Sequence, residues 1–254
     1  MTKPYIISIE GNIGTGKSTF LENLELNINK TNPDISKSIL FLKEPVGVWE
    51  KFKDEHGQTV LEKFYKDQRR YAFTFQVMAY ITRLSLLKRA IKENPQCKIV
   101  IIERSLIADK NIFMQMLYDD GQVEKMEYDI YNQWYEEFID EYRVDAIIYL
   151  DSNADVCAKR INQRNRTGEE GIPLSYLEKC QAYHTKWLVD TIVAEEPTIA
   201  LSEHILRYKI NHENFIYQML RVNTNSNTKY EEDGSNNVGM AWLSCVKQFV
   251  CDNI

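Results

Sequence analysis

Tyr5-Ile6-Ile7-Ser8-Ile9-Glu10-Gly11-Asn12-Ile13-Gly14-Thr15-Gly16-Lys17-Ser18-Thr19-Phe20-Leu21 is the stretch on which the reading of this chain turns. The apolar run from Tyr5 to Ile9 has the character of a strand, and Phe20, Leu21, Leu24 and Ile28 recur at helical spacing. Between them stands G-x-x-x-x-G-K-[ST], in the strand–loop–helix context that a phosphate-binding loop requires. The glycines let the backbone from Gly11 to Thr19 wrap a di- or triphosphate with its N–H groups. The helix N-terminus adds positive dipole, Lys17 can reach the β- and γ-phosphates, and Ser18 can hold Mg²⁺. An ordinary glycine-rich turn is the competing reading. By chance, four such fixed positions arise in about one sequence per hundred or fewer. A nucleotide site is expected.

The 254 residues suffice for one sizeable α/β core, with 44% hydrophobic and 27% charged residues. A net charge of −6 argues against a general nucleic-acid or anionic-membrane binder. No apolar run approaches a membrane span, and a first strand at Tyr5 leads us to expect no leader peptide. The five cysteines lack C-x-x-C spacing and read as reduced thiols, with the cytoplasm as the expected compartment.

Short apolar runs at 38–42, 98–102 and 144–150 alternate with helical patterns at 68–94, 106–118, 123–141, 154–162 and 173–194. A fifth strand is expected near Ile205–Ile210. This alternation predicts an α/β fold with about five parallel strands and helices on both faces. Ligands then bind beyond the carboxyl ends of the strands, where Gly11 onward, Glu44, Glu103-Arg104-Ser105 and Asp151 stand. Residues 1–220 are expected to form one domain. Residues 223–237, rich in asparagine and short of apolar residues, read as a flexible polar linker. Residues 238–254 read as a helix docking on the same domain.

The strand-end residues point to phosphoryl transfer onto a small hydroxyl acceptor. Glu44, fixed by Pro45, can take the proton of an attacking hydroxyl. Glu103 can complete a Mg²⁺ shell, and Arg104 can steady transition-state charge. Arg160, Arg164 and Arg166 can close on the phosphates as an arginine-rich lid, although a solvated basic helix end would look the same. Asp54-Glu55-His56-Gly57 matches the D-x-x-G of a GTPase by letter, but no strand precedes it and N-K-x-D is absent.

From Tyr5 to about Val189 the sequence resembles the deoxynucleoside kinases. The resemblance rests on the phosphate loop, Glu44-Pro45-Val46 with Trp49, Phe73-Thr74-Phe75-Gln76, Glu103-Arg104-Ser105, and the lid from Arg164-Asn165-Arg166 through Glu169 to Pro173. It implies a P-loop NTPase-type fold, with ATP or another triphosphate as donor, Mg²⁺ as cofactor and a homodimer as the assembly. It also implies Glu44 as general base for the 5′-hydroxyl. Lys17, Arg104 and the lid arginines would hold the phosphates, and Ser18 with Glu103 the metal. Tyr65 and Glu169 match positions that hold the sugar 3′-hydroxyl; spacing back from Pro173 selects Glu169 over Glu170. Gln76 matches the base-reading glutamine, and Phe75 and Phe113 match aromatic positions lining the base. Gly168 departs from relatives that carry a polar residue there. Tyr208 to Phe215 loosely resembles the strand and loop that hold the donor's base.

Gln76, Ala79 and Arg83 share one helix face, and Arg83 can pair with Asp109 across the base pocket. The pair resembles deoxycytidine and deoxyguanosine kinases; thymidine-accepting relatives tend to have an apolar residue and alanine there. Deoxycytidine and purine deoxynucleosides are therefore expected over thymidine, unless the pair is only a structural salt bridge. Two alternatives stand beside this reading. A thymidylate-type kinase shares loop and lid but typically shows Asp-Arg where this chain has Glu103-Arg104. A non-catalytic nucleotide sensor would not need Lys17, Ser18, Glu44, Glu103 and the lid arginines together.

Overall fold

The computed structural model describes residues 3–166, 168–169, 171–193, 199–202, 205–212, 215–226, 228–230 and 238–252. Its strands are β1 (Tyr5–Glu10), β2 (Ile39–Leu42), β3 (Ile99–Glu103), β4 (Ala146–Asp151), β5 (Ile199–Ser202), β6 (Ile205–His212) and β7 (Phe215–Asn223). Its first helices are α1 (Lys17–Thr31), α2 (Pro33–Ser36), α3 (Val46–Trp49), α4 (Val60–Lys66) and α5 (Gln68–Glu93). After β3 come α6 (Leu106–Ala108), a π-helical stretch (Asp109–Met114), α7 (Gln115–Asp119) and α8 (Lys125–Tyr142). Beyond β4 lie α9 (Ala154–Arg164), α10 (Leu174–His184) with a π-helical continuation (Thr185–Val189), and α11 (Val238–Cys251).

Among the described residues one sheet has seven strands, in the order β2-β3-β1-β4-β7-β6-β5. The strands β2, β3, β1, β4 and β7 run parallel, and at one edge β6 pairs antiparallel with β7 and β5 antiparallel with β6. The expectation of about five parallel strands holds, and the placement of the fifth needs a correction. The strand at Ile205–Ile210 exists within β6 but runs antiparallel, and the fifth parallel strand is β7. A hairpin, not a helix, joins β6 to β7, and a hairpin reverses direction. The fifth parallel strand therefore has to be the second arm.

Alternation along the central strands explains both covered faces. Ile7, Ile9, Ile99, Ile101, Ile148 and Leu150 pack on one side with Phe20, Leu24 and Ile28 of α1 and Trp242, Val246 and Phe249 of α11. Ile6, Val100, Ile102, Ile147 and Tyr149 point the other way, into a core shared with α5, α6, α8 and α10. Capping residues set the helix starts that matter for the site. Thr59 and Glu62 form a reciprocal capping box on α4, and the Asp67 carboxylate accepts from the Arg70 N–H of α5. The expected helix over 173–194 changes to π-helical winding at Thr185. Strand β7 runs past residue 220 to Asn223. Of the expected linker, residues 227 and 231–237 lie outside the described residues, as does Glu170 of the lid.

Candidate active site

The carboxyl ends of β1, β2 and β3 open on a cleft of about 610 Å³. Gly16, at φ 94°, turns the chain into α1 with no side chain capping the helix. Residues 13–19 line the cleft, and no side chain caps the first turn of α1, whose N–H groups are thus left for a ligand. Gly11 and Asn12 stand behind this surface. The Asn12 amide donates to the Leu177 carbonyl (2.8 Å) and its oxygen accepts from the Ile13 N–H (2.8 Å), tying the loop to α10.

Lys17 Nζ donates to the Gly11 and Asn12 carbonyls at 3.1 and 2.8 Å. Burial, helped by the neighbouring Arg104 cation, lowers its pKa to about 8 against the pull of Glu103, Glu44 and Glu10. Two opposite pH effects follow. The kcat/KM for the donor should fall as pH rises through about 8 and the free enzyme loses this charge. The contribution of Lys17 to stability should rise over the same range and up to its ordinary value of 10.5, because the unfolded chain still binds the proton there. A pH–rate profile and urea titrations at pH 7.5 to 9.5 check both signs.

A charged layer forms the floor of the cleft. Ser18 Oγ donates to Glu103 Oε1 (2.7 Å), and the Glu44 N–H donates to Glu103 Oε2 (3.3 Å). Arg83 is forked between Asp109 and Glu44, with 2.6 Å to Glu44 Oε1. Arg104 Nε lies 3.6 Å from the same Glu44 oxygen, while its NH2 donates to the Gly11 carbonyl (3.0 Å). Burial pushes the Glu44 carboxyl up, but Arg83, Arg104 and Lys17 outweigh it and hold the group below its usual range. Glu44 is therefore ionised at neutral pH and able to accept a proton.

Beyond Glu44 the cleft becomes apolar. Trp49, Phe64, Tyr65, Phe75, Ala79, Phe113 and Tyr176 line it, with Gln76 buried among them. Phe75 stacks on Phe64 at 4.7 Å and meets Trp49 edge-on at 5.7 Å, while the Trp49 indole N–H donates to Thr82 Oγ1 (2.8 Å). Burial and the nearby Glu169 push the Tyr65 phenol up, so it remains a donor beside a carboxylate. Such a pair can accept from and donate to one sugar hydroxyl.

Glu169, nearly buried, receives both lid arginines, Arg164 at one oxygen and Arg166 at the other (3.3 Å). Arg160 is engaged differently. Its guanidinium reaches the carbonyls of Thr15 (3.3 Å), Thr224 (2.8 Å) and Ser226 (3.1 Å) and the Ser152 hydroxyl (3.2 Å). It straps the phosphate loop to the segment after β7.

That segment is where sequence reasoning fell short. Tyr208 to Phe215 belongs to the β6–β7 hairpin, and none of its described residues lines the cleft. Thr224, Ser226, Thr228, Tyr230 and Trp242 do, beside Thr19 and Glu22. Their compositional signal, polar and asparagine-rich, is that of a linker. Only Tyr230, which meets Phe20 edge-on at 6.2 Å, gives an apolar hint of docking.

The profile of the family described as deoxynucleoside kinase matches residues 7–224. A probable deoxycytidine kinase of fowlpox virus is 37% identical over 185 residues, covering 72% of this chain and 71% of that protein. Human deoxycytidine kinase is 33% identical over 203 residues (72% and 75%), and mitochondrial deoxyguanosine kinase of Xenopus laevis 31% over 199 (72% of each). The phosphate loop, the carboxylates at its edge and an apolar cleft ending in an amide thus sit within a matched region that spans most of the sequence, and the chain belongs to the deoxynucleoside kinase family and is a nucleoside kinase.

Proposed function

We propose that this kinase transfers the γ-phosphate of ATP to the 5′-hydroxyl of 2′-deoxynucleosides, with Glu44 as general base. The observation that carries this reading is the Glu44 carboxylate held by Arg83 and Arg104 between the phosphate loop and the apolar, Gln76-bearing end of the cleft. A hydroxyl poised there meets an ionised base on one side and a donor phosphate on the other. The buried Arg83–Asp109 pair fills room beside Gln76 and offers polar partners to an amino-bearing base. Deoxycytidine and purine deoxynucleosides are therefore preferred to thymidine, in line with the names of the relatives. ATP consumption over deoxycytidine, deoxyadenosine, deoxyguanosine, thymidine and thymidine monophosphate tests this. Equal turnover of thymidine would remove the specificity argument, and turnover confined to the monophosphate would replace the acceptor class.

The oxygens of Ser18 and Glu103 suit Mg²⁺, which typically takes one or two protein oxygens and completes its shell with phosphates and water. The metal would neutralise donor phosphate charge. Lys17 grips the phosphates, and Arg164 and Arg166 turn to them from Glu169. The donor's base occupies the end of the cleft lined by Glu22, Thr228 and Tyr230.

A homodimer is supported by the outer face of α8, where Met126, Ile130 and Trp134 are exposed one turn apart, with Ile81 exposed on the neighbouring α5. Trp134→Glu should give a monomer by sedimentation at concentrations where wild type is dimeric. An unchanged assembly would place the contact elsewhere. Cytoplasmic residence fits five free thiols, with Cys157 and Cys180 fully buried.

A further inference from the structure

Glu10 ends β1 and is fully buried, yet no step of the proposed reaction uses it. Strands β1 and β3 pair in register as far as Ile9 with Glu103. Immediately beyond, Arg104 takes a left-handed backbone conformation (φ 63°), uncommon for a residue with a side chain. The Arg104 N–H still reaches the Ile9 carbonyl (3.0 Å), the last rung of the ladder. The next N–H, of Ser105, has left the sheet and points into the core. The Glu10 side chain meets it: Oε1 accepts from Ser105 N at 2.9 Å. The Ser105 hydroxyl then caps α6 by accepting from Ala108 N (3.2 Å). A side chain thus replaces the missing rung at the point where the chain must reverse.

The reversal sets where the Arg104 side chain goes. From this turn the guanidinium lies 4.6 Å from the Phe113 ring centroid, donates to the Gly11 carbonyl and stands 3.6 Å from Glu44. A relaxed turn would swing these contacts together, because they hang from one strained residue. Burial pushes the Glu10 carboxyl up, with Arg104 and the Ser105 hydrogen bonds opposing it. Hydrogen-bond reach, which glutamine shares, is separable here from charge, which aspartate shares.

We propose that Glu10 is a positioning residue that acts through Arg104, its side-chain oxygen fixing the Arg104-Ser105 turn so that the guanidinium faces Glu44 and the transferred phosphate. The inference rests on the reading of Arg104 given above. It depends on the oxygen at the end of a two-methylene side chain and not on its charge.

The test measures kcat and KM, with the best deoxynucleoside and ATP, for the full chain and for E10Q, E10D, R104M and E10D/R104M. The E10Q enzyme keeps reach without charge and should stay within about threefold of wild-type kcat. The E10D enzyme keeps charge but withdraws the oxygen, and kcat should fall by about 10- to 100-fold with KM for the nucleoside nearly constant, the scale of a small misplacement. Its penalty should vanish in the R104M background. Equal kcat in E10D and E10Q, or an undiminished E10D penalty without Arg104, would overturn the proposal. Should E10D not fold, a folded E10Q that loses more than tenfold would overturn it as well. Wild-type turnover in R104M would remove the reading of Arg104 and this inference with it. An impaired R104M beside an unimpaired E10D would remove this inference alone.

Discussion

The Glu44→Gln enzyme is expected to turn over at least about 10²-fold more slowly than wild type while binding deoxynucleoside almost normally. The amide keeps one oxygen for Arg83, whose other arm stays on Asp109, so the floor of the cleft keeps its shape. What is lost is the negative charge, and with it the capacity to take a proton. The pH profile adds a second signature. Arg83, Arg104 and Lys17 depress the Glu44 pKa against burial, so wild-type kcat should hold at neutral pH and fall only as pH drops through or below the ordinary carboxylate range. The stability supplied by this depressed pKa is present above the unfolded value and lost on the same descent. The variant should lack the acidic limb. Unchanged kcat would take Glu44 out of the base role.

Gly14→Ala should have the largest effect on the folded state. Gly14 sits at φ 83°, where a side chain costs about 1–2 kcal/mol. A Cβ there would also stand 2.6 Å from the Cys157 carbonyl oxygen and 2.9 Å from Ile161 Cγ1, both on α9. Relieving that overlap adds about 1–3 kcal/mol. A thermal midpoint lower by about 5–15 °C follows for a chain of this size. Because α9 carries Arg160 and Arg164, its displacement should weaken donor binding beyond what the stability loss explains. Calorimetry together with ATP titration by fluorescence checks both. A midpoint within a degree of wild type would show that the loop can rearrange freely.

What the sequence disclosed follows from how local each signal is. The phosphate loop was legible because its chemistry is contiguous: strand, glycines, Lys17, Ser18 and helix occupy one short stretch. Helix α5 was legible to within a residue at each end, because Asp67 and Asn94 cap a continuous apolar period. Strand β7 was missed because Phe215, Ile216, Gln218 and Arg221 do not alternate cleanly, and its partner β4 is remote in sequence. The role of Thr228 and Tyr230 in the cleft was hidden for a related reason: a segment held by an arginine's hydrogen bonds to its carbonyls needs no apolar pattern. Glu10 was passed over as the end of a strand. Only the folded chain shows its oxygen on the Ser105 N–H.

The placement of β7 and α11 also governs the order in which the protein can be made. Strand β7 lies in the interior of the sheet between β4 and β6, and α11 covers α1, the helix that follows the phosphate loop. A ribosome synthesises the nucleotide-binding loop well before its covering helix. Until β7 and α11 emerge, Phe20, Leu24 and Ile28 lack the apolar surface of Trp242, Val246 and Phe249, and β4 presents an open edge. Completion of this fold therefore waits on contacts between elements far apart in sequence, and such contacts make folding slow. Shortening the chain before α11 would leave a nascent species in its sticky, unfinished form.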